Sequence, residues 1–151
     1  MSNLYVWLKF LHLVGLGVFL LGHGVSGGAS LVLRRPLAET ARPALLRLSI
    51  RAQYVALPGL LVVIATGVAM GFVGSWWRWG WIWTAIAVLV AAMVFMSAQS
   101  VPYHKARELT GPGKPAAELE VPLAKARPMA LLWSGAIALV VLLFLMVFKP
   151  F

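Results

Sequence analysis

Four long apolar stretches separated by short polar connections set the pattern of this chain. They run over about residues 4–33, 53–73, 79–101 and 129–148, and Lys9 is the single charge inside any of them. Each reaches the roughly 20 residues that a helix needs to cross ~30 Å of hydrocarbon. Without water in the bilayer core, every backbone group must be bonded within its own segment, so the stretches predict helices. Alternating segments of about 10 residues, the mark of a transmembrane barrel, are absent. The expected fold is all-α: a four-helix transmembrane bundle forming one integral membrane domain over residues 1–151.

Composition agrees with lipid as the main solvent. Of 151 residues, 62% are hydrophobic and 11% charged, far from the half-apolar, quarter-charged balance of soluble domains. A signal peptide is the competing reading of the first stretch. It lacks a basic n-region, and its apolar run is about twice the usual 7–15 residues. Arg34-Arg35 follows like a stop, so a permanent helix is expected. The absence of cysteine removes disulfides and thiolate metal sites.

The charges orient the helices. Arg34, Arg35, Arg42, Arg47 and Arg51 lie in the first connection, and Lys105, Arg107, Lys114, Lys125 and Arg127 in the third. The second connection has only Arg78. Four spans put both basic connections on one side, which the positive-inside rule makes cytoplasmic. Both termini then face outward. The net charge of +9 needs no nucleic acid, because basic loops against an anionic leaflet account for it. The expected setting is a bacterial-type plasma membrane, with the lipid bilayer as first partner and a homo-oligomer or larger membrane complex as further ones.

Local signals refine the connections. Ala44 to Arg51 reads as a short interfacial run leading into the second span. Pro58-Gly59 is expected to bend that span. Gly111-Pro112-Gly113-Lys114-Pro115 reads as a flexible cytoplasmic loop. Pro128 suits the first turn of the last helix. Trp76, Trp77, Trp79, Trp81 and Trp83 crowd the outer turn as an aromatic anchor. A docking surface for an extramembrane partner is the alternative.

Candidate chemistry is confined to the first helix. No phosphate-cradling glycine loop, HExxH, GxSxG or paired-carboxylate arrangement occurs, and no catalytic residue is assigned. All four acids, Glu39, Glu108, Glu118 and Glu120, lie in connections, which argues against a proton-driven pump. At about 100° per residue, His12 and His23 differ by roughly 20° in azimuth and stand roughly 16 Å apart along the axis. Gly15, Phe19, Gly22, Ser26, Gly27 and Ser30 share or border that face, and Gly17, Gly24 and Gly28 line a second one. Two small-residue faces predict close contact with two neighbours or with a flat ligand.

Two readings of the histidines stay open. Interhelical hydrogen bonding with glycines that merely permit packing is one. Axial ligation of haem b by His12 and His23 is the other, since intramembrane ionisable residues mark functional sites and haem iron takes axial His. Gly15, Gly22 and Ser26 would then border the cofactor. Met70 and Met146 match the depth of His12, and Met93 and Met96 that of His23, as candidate second ligands. One haem cannot use both histidines, given their axial separation. His104, at the cytoplasmic end of the third span, reads as interfacial.

Trp7-Leu8-Lys9-Phe10-Leu11-His12, followed by a glycine-rich stretch ending in Arg34-Arg35, resembles the first helix of the CopD/HemJ-like membrane proteins. The whole chain resembles an uncharacterised bacterial four-helix family near that group. Leu21-Gly22-His23-Gly24-Val25-Ser26, Gly80-Trp81-Ile82-Trp83 and Met146-Val147-Phe148-Lys149-Pro150 are the pieces that match. The resemblance implies haem b at a first-helix histidine, by position His12. HemJ-like members also use a lysine inside a later span. Lys105 lies beyond the membrane core here, a departure that speaks against protoporphyrinogen oxidation. CopD-like members are linked to copper uptake, but no Met/His cluster in one layer is evident in the sequence. The leading expectation is a b-type haem-binding or electron-transfer protein. The alternatives are a non-catalytic accessory subunit of a larger membrane complex and a copper or small-solute transporter.

Overall fold

Helix follows helix along this chain, and the computed structural model describes residues 3–38, 40–109 and 116–151. Its α-helices are α1 (Asn3–Val32), α2 (Ala41–Val73), α3 (Gly80–Glu108), α4 (Glu120–Ala124) and α5 (Pro128–Phe148). Short 3₁₀ turns cover Trp76–Arg78 and Ala116–Leu119, and no strand occurs among the described residues. α1, α2, α3 and α5 are each long and apolar enough to span a membrane. Large apolar side chains such as Leu21, Val94, Val140 and Val147 point outward along them. So much exposed apolar surface is untenable in water and normal against lipid. The chain is a multi-pass integral membrane protein of all-α, four-helix architecture.

The interfacial run expected before the second span is not a separate element. Residues 44–51 are the first turns of α2, which continues through Pro58 for 33 residues in all. Arg47 is exposed on that extension while Leu46 is buried, so one helix serves interface and hydrocarbon alike. Pro128 starts α5, where its missing N–H costs nothing. The Gly111–Pro115 loop expected from sequence lies outside the described residues.

The helices associate as two pairs. α1 lies along α2, α3 lies along α5, and the pairs meet over smaller contacts of α1 with α5 and α2 with α3. Glycine explains why the first pair is so close. A β-carbon on Gly22 would stand 2.5 Å from the Ala52 carbonyl oxygen, and one on Gly59 2.5 Å from the Phe19 nitrogen. The two backbones touch, as small-residue interfaces in membranes allow. Apolar clusters close both ends of the assembly. Leu33, Leu46, Tyr103, Ala106, Leu119 and Ala126 pack at the basic end, and Trp81, Ile82, Ala85 and Leu145 at the other.

The tryptophans divide between two jobs. Trp79 and Trp83 are exposed, whereas Trp81 is buried and packs with Trp76. Lys149 Nζ lies 4.1 Å from the Trp76 ring centroid, and the Trp81 N–H donates to the Phe151 carbonyl oxygen at 3.1 Å. Residues 149–151 therefore fold back over the outer end of α3.

The candidate site on the first helix

α1 carries both histidines, and its neighbours treat them differently. His12 is buried against α2, with Nδ1 3.0 Å from Thr66 Oγ1. Thr66 donates its one hydroxyl hydrogen to the Val62 carbonyl at 2.6 Å. Its oxygen can then only accept, so His12 Nδ1 carries a proton and donates it to Thr66. A β-carbon on Gly67 would lie 3.4 Å from His12 Cε1; the ring occupies space that glycine vacates. Burial and hydrogen bonding of His12 are both settled by α2.

His23 is half-buried and makes no hydrogen bond among the described residues. Its ring stacks on Phe19, one turn earlier, at a centroid distance of 5.2 Å. Its far edge reaches the junction of α1, α3 and α5. A β-carbon on Gly135 of α5 would sit 3.7 Å from His23 Nε2 and 3.8 Å from Met96 Sδ of α3. A nitrogen and a thioether side chain thus approach one point between three helices, and the Met96 methyl, 3.2 Å from that position, comes nearest to it. His23 and Met96 share one layer, as their matching depth in the sequence predicts.

The other candidates take distinct positions. Met70 is buried on α2, one turn beyond Thr66, while Met93 and Met146 are exposed. Gly15 and Gly22 lie against α2, at Val62 and Ala56, and Ser26 Oγ is 2.8 Å from Ser49 Oγ of the same helix. Gly15, Gly22 and Ser26 serve the α1–α2 seam. The second glycine face, expected to meet neighbouring helices or a cofactor, has no contact among the described residues: none of them lies within 4 Å of a β-carbon on Gly17, Gly24 or Gly28. α1 spends only one of its two small-residue faces on α2, because α5 approaches from the side of Gly27, through Leu132.

Arg107, read from the sequence as one of the charges of the third connection, takes part in the helix packing. α3 runs on to Glu108, and this carries Arg107 inward, where Nη2 donates to Ser49 Oγ at 2.8 Å and Nη1 to Gln53 Oε1 at 3.2 Å. Through Ser49 it joins the Ser26 end of α1. Its spacing of one helical turn from Tyr103, itself buried, was the available signal. His104 is exposed, with Nδ1 3.5 Å from Arg107 Nη1.

Among the described residues, no group of three or more His, Cys, Asp or Glu side chains is placed to hold a metal ion. No protein-family model, curated protein or solved structure matches the chain.

Proposed function

We propose that this protein is a b-type haem-binding, electron-transfer component of a bacterial plasma membrane, with His23 as the iron ligand and Met96 as the second. The observation that carries the reading is the approach of His23 Nε2 and Met96 Sδ to one point at Gly135. The donor set fits, because imidazole and thioether are an established axial pair for haem iron. The surroundings also fit. An imidazole without a hydrogen-bond partner in a membrane interior is costly unless something binds it, and Phe19 fixes the ring's plane. Haem b supplies reversible one-electron transfer when bound. The chain's own part would be to present an imidazole and a soft sulfur at the junction of α1, α3 and α5. His12 then serves chiefly to join α1 to α2.

Expression with ample haem supply, followed by a reduced-minus-oxidised spectrum of the purified protein, tests this. A b-type α-band that disappears in His23→Ala and persists in His12→Ala supports the reading. The reverse pattern transfers the ligand role to His12, the position the CopD/HemJ-like resemblance implies. Copper in place of haem would favour the copper-handling alternative.

The accessory-subunit reading has its own support. Gly17, Gly24 and Gly28 form a stripe that no described residue covers, beside the exposed Leu21, the kind of surface on which membrane helices associate. A colourless wild-type protein that stays folded would put that reading first.

A further inference from the structure

A second polar site lies at the cytoplasmic end, independent of the cofactor reading. Leu33 and Arg34 leave α1, Arg42 stands in the first turn of α2, and α4 supplies Glu120, Leu123 and Ala124. These six residues line an open-mouthed cavity of about 330 Å³. Two guanidinium groups therefore share a wall with three apolar side chains, at the level where the basic connections meet the inner leaflet.

Neither arginine is fully used by the protein. Arg42 Nη1 pairs with Glu120 Oε1 at 2.8 Å, but its Nε is buried and has no acceptor among the described residues. Arg34 donates one Nη2 bond to the Ala126 carbonyl at 3.1 Å and is otherwise exposed. Guanidinium is a fork that matches two phosphate oxygens at once. Among the described residues Glu120 is the acid on the wall, and it is largely solvent-exposed, so its pairing with Arg42 is a weak competitor for a phosphate. The described wall sets two guanidiniums against one carboxylate.

We infer that this cavity binds the phosphodiester of an anionic phospholipid from the inner leaflet. Arg34 and Arg42 take the phosphate oxygens, while Leu33, Leu123 and Ala124 meet the glycerol and the first methylenes. A free phosphate offers the same oxygens but nothing for the apolar wall. A zwitterionic headgroup brings an ammonium towards two guanidiniums. Basic pockets between membrane helices on the cytoplasmic side favour anionic headgroups for the same reason. The chain contributes the site as folded, since each wall comes from a different helix or connection.

Native mass spectrometry of the full chain in detergent, titrated with phosphatidylglycerol, phosphatidylcholine or inorganic phosphate, tests the assignment. The wild type should retain one phosphatidylglycerol in preference to phosphatidylcholine, and millimolar inorganic phosphate should not displace it. Arg34→Gln combined with Arg42→Gln should weaken that retention about tenfold or more, two charge-assisted bonds being lost. Glu120→Gln frees Arg42 and should strengthen it several-fold. This single variant decides the matter if the double variant does not fold. Equal retention of both lipids, displacement by inorganic phosphate, or an unchanged affinity in Glu120→Gln would each overturn the proposal.

Discussion

His12 and His23 sit on one face of one helix, yet the outer and inner halves of α1 use that face in opposite ways. Around His12, α2 comes so close that the ring lies over Gly67 and bonds Thr66. Around His23, α5 brings Gly135 up to the ring edge and to the Met96 side chain of α3. An identical residue in an identical helical register is structural glue in one place and an available donor in the other. What distinguishes them is the partner helix: α2 brings a hydroxyl, whereas α3 brings a thioether, which accepts hydrogen bonds weakly and binds soft or low-spin metal centres well.

The largest expected effect separates the two histidines outright. His23→Ala should remove cofactor absorbance almost completely, with little change in thermal midpoint beyond the loss of ligand stabilisation. Met96→Leu conserves volume, so its cost in the apoprotein should stay below about 1.5 kcal/mol. It should nevertheless lower the midpoint potential, because Met ligation raises it. Redox titration of the two variants checks both statements. A wild-type potential in Met96→Leu would remove the methionine from the site.

The next effect concerns the glycine faces. Gly22→Ala places a methyl 2.5 Å from a backbone oxygen of α2 and should cost about 1–3 kcal/mol by overpacking. Gly24→Ala meets no described residue within 4 Å. In detergent it should be neutral or slightly stabilising, since Ala is the better helix former by roughly 1 kcal/mol. Thermal unfolding followed by circular dichroism compares them. A destabilised Gly24→Ala would mean that this face is covered in solution by another chain.

Much of this was legible in the sequence. The four spans follow from apolar length alone, and the shared azimuth of His12 and His23 from helical geometry. Periodicity could also tell that α1 has two small-residue faces. It could not tell which one α2 would choose, because that depends on where Gly59, Ala52 and Ala56 fall on the opposing helix. Depth along the helices paired His23 with Met93 and Met96 alike, and only the meeting at Gly135 of α5 singles out Met96, 73 positions away by number. The part Arg107 takes in the packing was hidden for a different reason. Apolar content ends near residue 101 while α3 continues to Glu108, so a residue beyond the hydrocarbon still faces inward.

The smallest effect bears on what His12 is for. Thr66→Val keeps the shape of the side chain and removes the oxygen that accepts from Nδ1. The loss of one hydrogen bond between membrane helices should cost about 0.6 kcal/mol. His12→Ala loses the same bond and leaves a cavity between α1 and α2, for about 1–3 kcal/mol. If the imidazole serves to join these helices, the two substitutions are coupled. The double variant should then be less destabilised than the sum of the single ones by roughly 0.6 kcal/mol, the usual size of a hydrogen bond between membrane helices. Strict additivity would break the contrast with His23. It would mean that the bond to Thr66 merely sets the tautomer, leaving Nε2 of His12 bare for a ligand of its own, as the partner hydrogen bonds of metal-bound histidines do.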